Sequence, residues 1–118
     1  MRVLILSWEY PPLIEGGLAR HVRKLAENLV AQGTDVHVLA RGTEDAPPEE
    51  EMGGVTVHRV LEPERPRDLG EFVTWIERMN ADMLAAGVEV GDQYDFDLVH
   101  GHDWLVAGAS DHLAKRFR

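Results

Sequence analysis

Short apolar runs alternate with longer amphipathic stretches along this chain, and the alternation predicts the order of its strands and helices. Four apolar runs of strand length lie at residues 2–6, 36–40, 55–60 and 96–100. The first is continuously apolar after Arg2, which is typical of a strand covered on both faces of a parallel sheet. The third carries His58 and Arg59, so we expect that strand nearer an edge of the sheet.

Between the strands, apolar residues recur at helical spacing, which predicts three helices. The first begins at Leu18 and ends at Gly33, because a glycine readily closes a helix. The second begins after Asp68, which opens a sequence like a capping box, and is expected to end at Gly87. Asp103 is expected to cap the third helix. The apolar stripe of the second helix is expected to be core and not a cofactor pocket; its residues are Leu69, Phe72, Val73, Ile76, Met79 and Met83.

The order of elements, βα, β, βα, βα, predicts one α/β domain. Right-handed crossovers between parallel strands favour a three-layer, Rossmann-like parallel sheet with helices on both faces. We expect about four strands and three helices, which would be an incomplete sheet. Two connections are expected to be irregular: residues 41–54, whose acidic run 49–51 would form a solvated, mobile tip, and residues 88–96.

Composition and charge narrow the classes of partner. The chain has 118 residues, a net charge of −9 and no cysteine. The acidic charge argues against nucleic acid or an anionic membrane as the main partner. Disulfides and thiolate metal sites are excluded. The amino-terminal apolar run is too short for a signal peptide or a membrane span, so we expect a cytoplasmic chain with no membrane insertion.

Ligands of parallel α/β sheets bind beyond the carboxyl ends of the strands, and two polar turns fall there. The first is the connection at residues 8–17, which ends in Gly16 and Gly17. Glycines at a helix start let a phosphate approach backbone N–H groups and the positive end of the helix dipole. A pair of glycines that merely forms a turn is the alternative. The spacing of glycines does not fit the usual dinucleotide fingerprint or phosphate loop.

The second polar turn is His-Gly-His-Asp-Trp at residues 100–104. His102 lies at the strand exit and is expected to face a ligand, whereas Trp104 either belongs to the core or walls a sugar site. A zinc site would need a third ligand from another part of the chain, and we expect no metal. The histidines that could supply that ligand, if the fold brought them near, are His21, His37 and His58.

These two turns carry a resemblance to a known family. Val-Leu-Ile-Leu-Ser-Trp-Glu-Tyr-Pro-Pro at residues 3–12, followed by Glu-Gly-Gly-Leu-Ala-Arg-His-Val at 15–22, resembles the opening of GT-B fold retaining glycosyltransferases of the glycogen and starch synthase type. Val-His-Gly-His-Asp-Trp at residues 99–104 resembles their second signature, at the expected place further along the amino-terminal domain. The resemblance covers essentially the whole chain.

The resemblance implies transfer of a hexose, expected to be glucose, from a nucleotide-sugar to an acceptor such as a glucan with retention of configuration. The nucleotide-sugar, such as ADP-glucose or UDP-glucose, would be a substrate, and no cofactor is implied. By resemblance, Gly16 and Gly17 bind the donor diphosphate. His102 and Asp103 are the catalytic candidates: His102 contacts the transferred sugar and Asp103 positions that turn. Contacts to the sugar or the acceptor are implied for Glu15, His102 and Trp104.

Two departures from the family pattern shape the interpretation. Bacterial glycogen and starch synthases carry a lysine before the glycine pair, where this chain has Glu15. The family's carboxyl-terminal domain, which binds the nucleotide, has no counterpart in the sequence. We therefore interpret residues 1–118 as part of an acceptor-side domain that is inactive alone.

Two alternatives without catalysis are a stand-alone module that binds a phosphate-containing ligand and a protein-interaction module. In the second, the exposed edge of the sheet is expected to form a homodimer.

Overall fold

The computed structural model describes residues 1–11, 17–44, 46–61, 67–102 and 106–117, which form five strands and three helices. In chain order they are β1 (Arg2–Ser7), α1 (Leu18–Ala31), β2 (Asp35–Gly42), β3 (Glu49–Met52), β4 (Val55–Leu61), α2 (Leu69–Gln93), β5 (Leu98–His102) and α3 (Ala107–Arg116).

The strands form a single sheet in the order β3-β4-β2-β1-β5. Four of these strands run parallel to one another, in the order β4-β2-β1-β5, whereas β3 pairs antiparallel with β4 at the edge. The α/β architecture predicted from the alternation of apolar runs is confirmed. The sheet has one strand more than expected, and that strand makes it mixed instead of wholly parallel.

Helices cover both faces of the sheet, as predicted. Val3 and Ile5 of β1 lie in one buried cluster with Val22 and Ala26 of α1. The alternate residues of the same strand point to the other face, where α2 and α3 lie. That second cluster contains Leu4, Leu6, Leu39, Trp75, Met83 and Leu113. The sheet is therefore the middle of three layers, and its interior strand β1 is buried on both faces.

The acidic run is exposed at Glu49 and Glu51, as its charge predicts, but it forms a strand and not the irregular tip that we expected. Glu49–Met52 forms β3, and Gly53 and Gly54, with φ of 59° and 83°, turn the chain back into β4. Such consecutive positive φ values are typical of a tight hairpin turn. The Glu49 carboxylate lies 3.2 Å from Nδ1 of His58, and the Glu50 carboxylate lies 3.6 Å from a guanidinium nitrogen of Arg59. His58 and Arg59 of β4 thus stabilise an acidic edge strand. Their side chains are buried, although we expected these polar residues to mark a strand nearer the edge.

The second helix runs six residues beyond its expected end at Gly87, so the loop predicted at 88–96 is largely helical. Gly87 lies inside the helix because α3 comes close at this point. A Cβ at Gly87 would lie 2.5 Å from Cδ1 of Leu113, and one at Gly91 would collide with the ring of Phe117. These glycines permit close packing of two helices and do not end one.

The apolar stripe of α2 is core at its centre and not at its start. Met79 and Met83 are buried with Trp75, which confirms the core prediction for them. Leu69 and Val73 are 82% and 57% exposed, so for these two residues the prediction is wrong. The α3 contact covers only the later turns of α2. Despite its 25 residues, neither α2 nor any other helix in the described ranges is long and apolar enough to cross a membrane.

Apart from Gly87, three residues were predicted to cap or close a helix by their own chemistry, and the structure describes two of them, which agree with the prediction. Gly33 follows α1 with φ of 91°, and Asp68 Oδ1 accepts a hydrogen bond of 2.8 Å from the Glu71 N–H at the start of α2. The third, a cap by Asp103, lies outside the described residues. The side chain of Val106, which precedes α3, makes no capping hydrogen bond, and Oδ1 of Asn80 on α2 instead accepts one of 2.9 Å from the Ala109 N–H.

A buried histidine pair connects β2 and β4 on the face covered by α2. Nδ1 of His37 lies 2.9 Å from Nε2 of His58, and the side chains are 2% and 7% exposed. The outer nitrogens lie 3.5 Å from the Asp35 carboxylate and 3.2 Å from the Glu49 carboxylate. Burial lowers the pKa of both imidazoles, and these carboxylates oppose that shift.

This pair predicts that acid destabilises the fold. Because the folded pKa values lie below the ordinary value of about 6.5, the unfolded chain binds more protons at mildly acidic pH. The free energy of unfolding is therefore expected to fall as the pH is lowered from about 7.5 through 6.5 to about 5.5. Urea unfolding across this range should show a smaller fall for the double variant His37→Gln/His58→Gln. The control is His112→Gln, on the exposed side of α3. An equal fall in the wild type and the double variant would contradict the prediction.

Candidate functional site

The carboxyl ends of β1 and β5 lie side by side. In the parallel register, Ser7 at the end of β1 is paired with His102 at the end of β5. The chain continues from β1 through buried residues 8–11 and enters α1 after Gly17. Both polar turns singled out from the sequence therefore begin at the same rim of the sheet.

Of the six candidate residues, the structure describes Gly17 and His102. Glu15, Gly16, Asp103 and Trp104 lie outside the described residues.

Gly17 is the N-cap residue of α1, and nothing in the described chain requires a glycine there. Its φ of −79° is one that any residue adopts, and a Cβ would meet no described atom within 4 Å. Its carbonyl accepts a hydrogen bond from the His21 N–H. The residue is exposed at the positive end of the helix dipole, so a molecule outside the described chain has room to approach this backbone.

Three imidazoles meet at the rim. The ring centroid of His102 lies 5.2 Å from that of His21, on α1, and 5.0 Å from that of His100. His102 is half-buried, whereas His21 and His100 are exposed. The sequence suggested His21 only as a possible zinc ligand and as one residue of the motif that resembles the family. Its separation from His102 along the chain did not predict this contact. The structure thus adds His21 to the site.

The other two histidines considered for zinc lie elsewhere. Leu4 is paired with His37 and the next residue, Ile5, with His100, so these histidines are on opposite faces of the sheet. Among the described residues, no group of three or more histidine, aspartate and glutamate side chains is placed to hold a metal ion.

A buried carboxylate caps α1 from outside the helix. Oε1 of Glu9 accepts a hydrogen bond of 3.0 Å from the Ala19 N–H, and Glu9 is 3% exposed. The Ser7 hydroxyl donates to the Glu9 carbonyl oxygen at 2.8 Å. A negative charge at the amino end of a helix is stabilised by the dipole. Glu9 therefore fixes where α1 begins relative to the end of β1, a role that sequence reasoning missed because its partner lies ten residues away.

Two arginines hold the segment that follows β1. The Arg41 guanidinium lies 4.3 Å from the ring centroid of Trp8, and the Trp8 ring also packs against Trp75 in a T-shaped arrangement with centroids 4.9 Å apart. A guanidinium nitrogen of Arg59 donates to the Tyr10 carbonyl at 3.0 Å. For Arg59 the one signal available was its place inside a predicted strand, because a buried arginine needs partners. Arg41 was predicted to lie in the connection at 41–54, but it belongs to β2.

The comparisons with known proteins agree with one another. A family model described as a glycosyl transferase 4-like domain matches residues 16–118. An uncharacterised glycosyltransferase of Methanocaldococcus jannaschii is 42% identical over 107 residues, which cover 90% of this chain and 26% of that protein. The glycogen synthase of Mycobacterium tuberculosis is 39% identical over an alignment of 127 residues, which includes gaps and covers 98% of this chain and 31% of that protein.

A solved structure has a similar fold. The sucrose-phosphate synthase of Thermosynechococcus elongatus superposes with a TM-score of 0.78 at 22% identity, over 99% of this chain and 31% of that one. At that identity the likeness shows the fold alone. The chain spans less than a third of the length of these proteins, at 26%, 31% and 31%. From the family match and the two sequence relatives together, the chain belongs to the glycosyl transferase 4-like family.

Proposed function

We propose that residues 1–118 are part of the acceptor-side domain of a GT-B glycosyltransferase that moves a hexose from a nucleotide-sugar to a glycan acceptor with retention of configuration. The observation that carries the proposal is the meeting of two separate motifs at one rim. Ser7 is paired with His102, and the His21 ring lies against the His102 ring four residues after Gly17.

The start of α1 would bind the donor diphosphate. Departure of the nucleoside diphosphate places negative charge on phosphate oxygens, and fixed backbone N–H groups at a helix start stabilise such charge without reorganisation. Gly17 supports this role because its backbone is exposed and no described side chain needs the space beside it. Gly16 would share the role by resemblance.

His102 would contact the transferred sugar. It lies at the carboxyl end of β5, where parallel α/β sheets bind ligands, and the exposed His21 lies on its α1 side. A half-buried imidazole in contact with two neighbouring rings has a restricted orientation, which suits a group that must meet a sugar in one pose. For Asp103, Glu15 and Trp104, the resemblance alone supports roles at the same rim.

Glucose is the proposed hexose, with ADP-glucose or UDP-glucose as the donor and a glucan as an acceptor. The printed name of one relative, glycogen synthase, supports this choice. Because the chain spans less than a third of its relatives, we propose that transfer needs residues outside this region. The cytoplasmic location stays a prediction.

A protein-interaction role is the second candidate, and one observation favours it. β5 is the outermost strand of the sheet on its side, and Leu98 is 50% exposed. Apolar cavities of about 260 Å³ and 250 Å³ flank this strand, the first lined by Leu25, Leu29 and Leu98 and the second by Val99 and Phe117 among others. An unpaired edge with apolar faces favours strand pairing. We keep a homodimer through β5 as the form of this second proposal.

Removing the His102 imidazole is expected to reduce transfer. In the longest natural reading frame that contains this region, His102→Ala should lower kcat/KM for the nucleotide-sugar by about 10²-fold, the size typical of losing one group that positions or stabilises the reacting atoms. The matched control is His112→Ala, an exposed histidine on α3, which should leave kcat/KM unchanged. Unchanged turnover in His102→Ala, with the same melting temperature as the wild type, would contradict the proposed contact between His102 and the transferred sugar.

A methyl group at Gly17 is expected to separate folding from donor binding. Gly17→Ala should leave the melting temperature unchanged or slightly higher, because the position has an ordinary φ and open space beside it. The KM for the donor should rise by about tenfold, because the added Cβ would stand where the diphosphate approaches the backbone. Gly70→Ala, at the start of α2, is the control at another helix start. If Gly17→Ala leaves the donor KM unchanged, the diphosphate does not bind here.

The isolated region is expected to transfer no sugar, whereas the longest natural reading frame transfers it. A radiolabelled nucleotide-sugar assay on both proteins measures this difference. Calorimetry of the isolated region with the same nucleotide-sugar distinguishes the stand-alone binding module, which would show saturable binding without the remaining chain. Transfer by the isolated region would contradict the proposed division of the site.

A further inference from the structure

The guanidinium of Arg59 joins three parts of the rim. Arg59 lies on β4, two strands away from β1 in the order β4-β2-β1. Its Nη1 donates to the carbonyl of Tyr10 at 3.0 Å and to that of Arg41 at 3.3 Å, and its Nη2 donates to the carbonyl of Pro11. The side chain therefore crosses the carboxyl end of β2 and reaches the segment that leaves β1.

The bonds of Arg59 use what is particular to an arginine. Its side chain is 3% exposed, and a buried charge is tolerated only with several partners. Burial lowers the pKa of Arg59, and the carboxylate of Glu50 on β3, at 3.6 Å, opposes that shift. A planar fork of N–H donors serves three carbonyls at once, which the single ammonium of a lysine does not reproduce.

The connection between β1 and α1 is thus anchored at both ends. Arg59 holds Tyr10 and Pro11 at its beginning, and the carboxylate of Glu9 holds the Ala19 N–H in the first turn of α1. Both anchors are buried, so solvent does not compete with them. Residues 12–17, which include the glycine pair, lie between these anchors in sequence.

We infer that Arg59 is a positioning residue for donor binding. This inference rests on the proposed role of the glycine pair. Arg59 sets the point at which the chain leaves β1 toward the glycine pair, and it does not touch the donor itself. A turn held in place before the ligand arrives loses less freedom on binding. Loosening this anchor should weaken donor binding in particular and leave acceptor binding unchanged.

The experiment compares two arginines that each join three parts of the fold. Arg2 donates to the Asp35 carboxylate at 2.6 Å and to the Asp95 carbonyl at 3.4 Å, but it lies at the amino ends of the strands, far from the rim. Arg59→Lys and Arg2→Lys are made in the longest natural reading frame. Melting temperature, donor KM, acceptor KM and hydrogen–deuterium exchange of the peptide spanning residues 8–19 are measured for each.

For Arg59→Lys, donor KM is expected to rise by about tenfold, with acceptor KM unchanged and faster exchange in the 8–19 peptide, since misplacement of about 1 Å is enough for such losses. For Arg2→Lys, only the melting temperature should fall. If Arg59→Lys does not fold, the double variant Arg59→Met/Glu50→Gln removes both charges while keeping an unbranched side chain, and it carries the same expectation.

Faster exchange with an unchanged donor KM overturns the inference, as does an equal rise of donor KM in Arg2→Lys. Either result leaves the proposed function standing when His102→Ala still lowers kcat/KM as expected. The reverse case, in which His102→Ala leaves turnover unchanged, removes the proposed function and with it this role of Arg59.

Discussion

The parallel register of β1 and β5 is the constraint on which the rim depends. Paired residues of neighbouring strands share a face, and so do residues two apart on one strand. Because Ile5 is paired with His100 and Ser7 with His102, both histidines lie on the α1 side. A shift of one residue would turn them toward the face covered by α3 and separate His102 from His21. Such a shift would also move the imidazoles of His100 and His102 toward the apolar cluster that contains Leu4, Leu6 and Leu113, which disfavours it.

Close to the carboxyl end of β1, the chain buries several charged side chains. Glu9, Arg41 and Arg59 have buried side chains beside the segment that leaves β1, and each has a defined partner there. Buried charges are costly when a partner is lost, so such a network tolerates few alternative arrangements. The histidine pair is the contrasting case: it connects β2 and β4, and its carboxylate partners, Asp35 and Glu49, lie away from the rim.

The errors of sequence reasoning share one cause, which is contact between residues distant in the chain. The acidic run was predicted to be an irregular tip and not a strand, because the cationic and imidazole partners of Glu49 and Glu50 lie on β4. Gly87 looked like a helix end because the Leu113 side chain that occupies the space beside it belongs to α3. Glycine and acidic residues have strong local tendencies, and tertiary packing overrides such tendencies when it places a suitable neighbour against them.

Apolar periodicity determined the α/β class, the three helices and the start of α1, and a local capping pattern at Asp68 determined the start of α2, because these depend on spacing within one segment. The two motifs also indicated the family and the rim. Only the tertiary structure decided that His21 meets His102, that Glu9 caps α1 and that Arg59 reaches Tyr10 across two strands. The physical reason is that each of these contacts depends on strand order and register, which bring together residues that no local pattern connects.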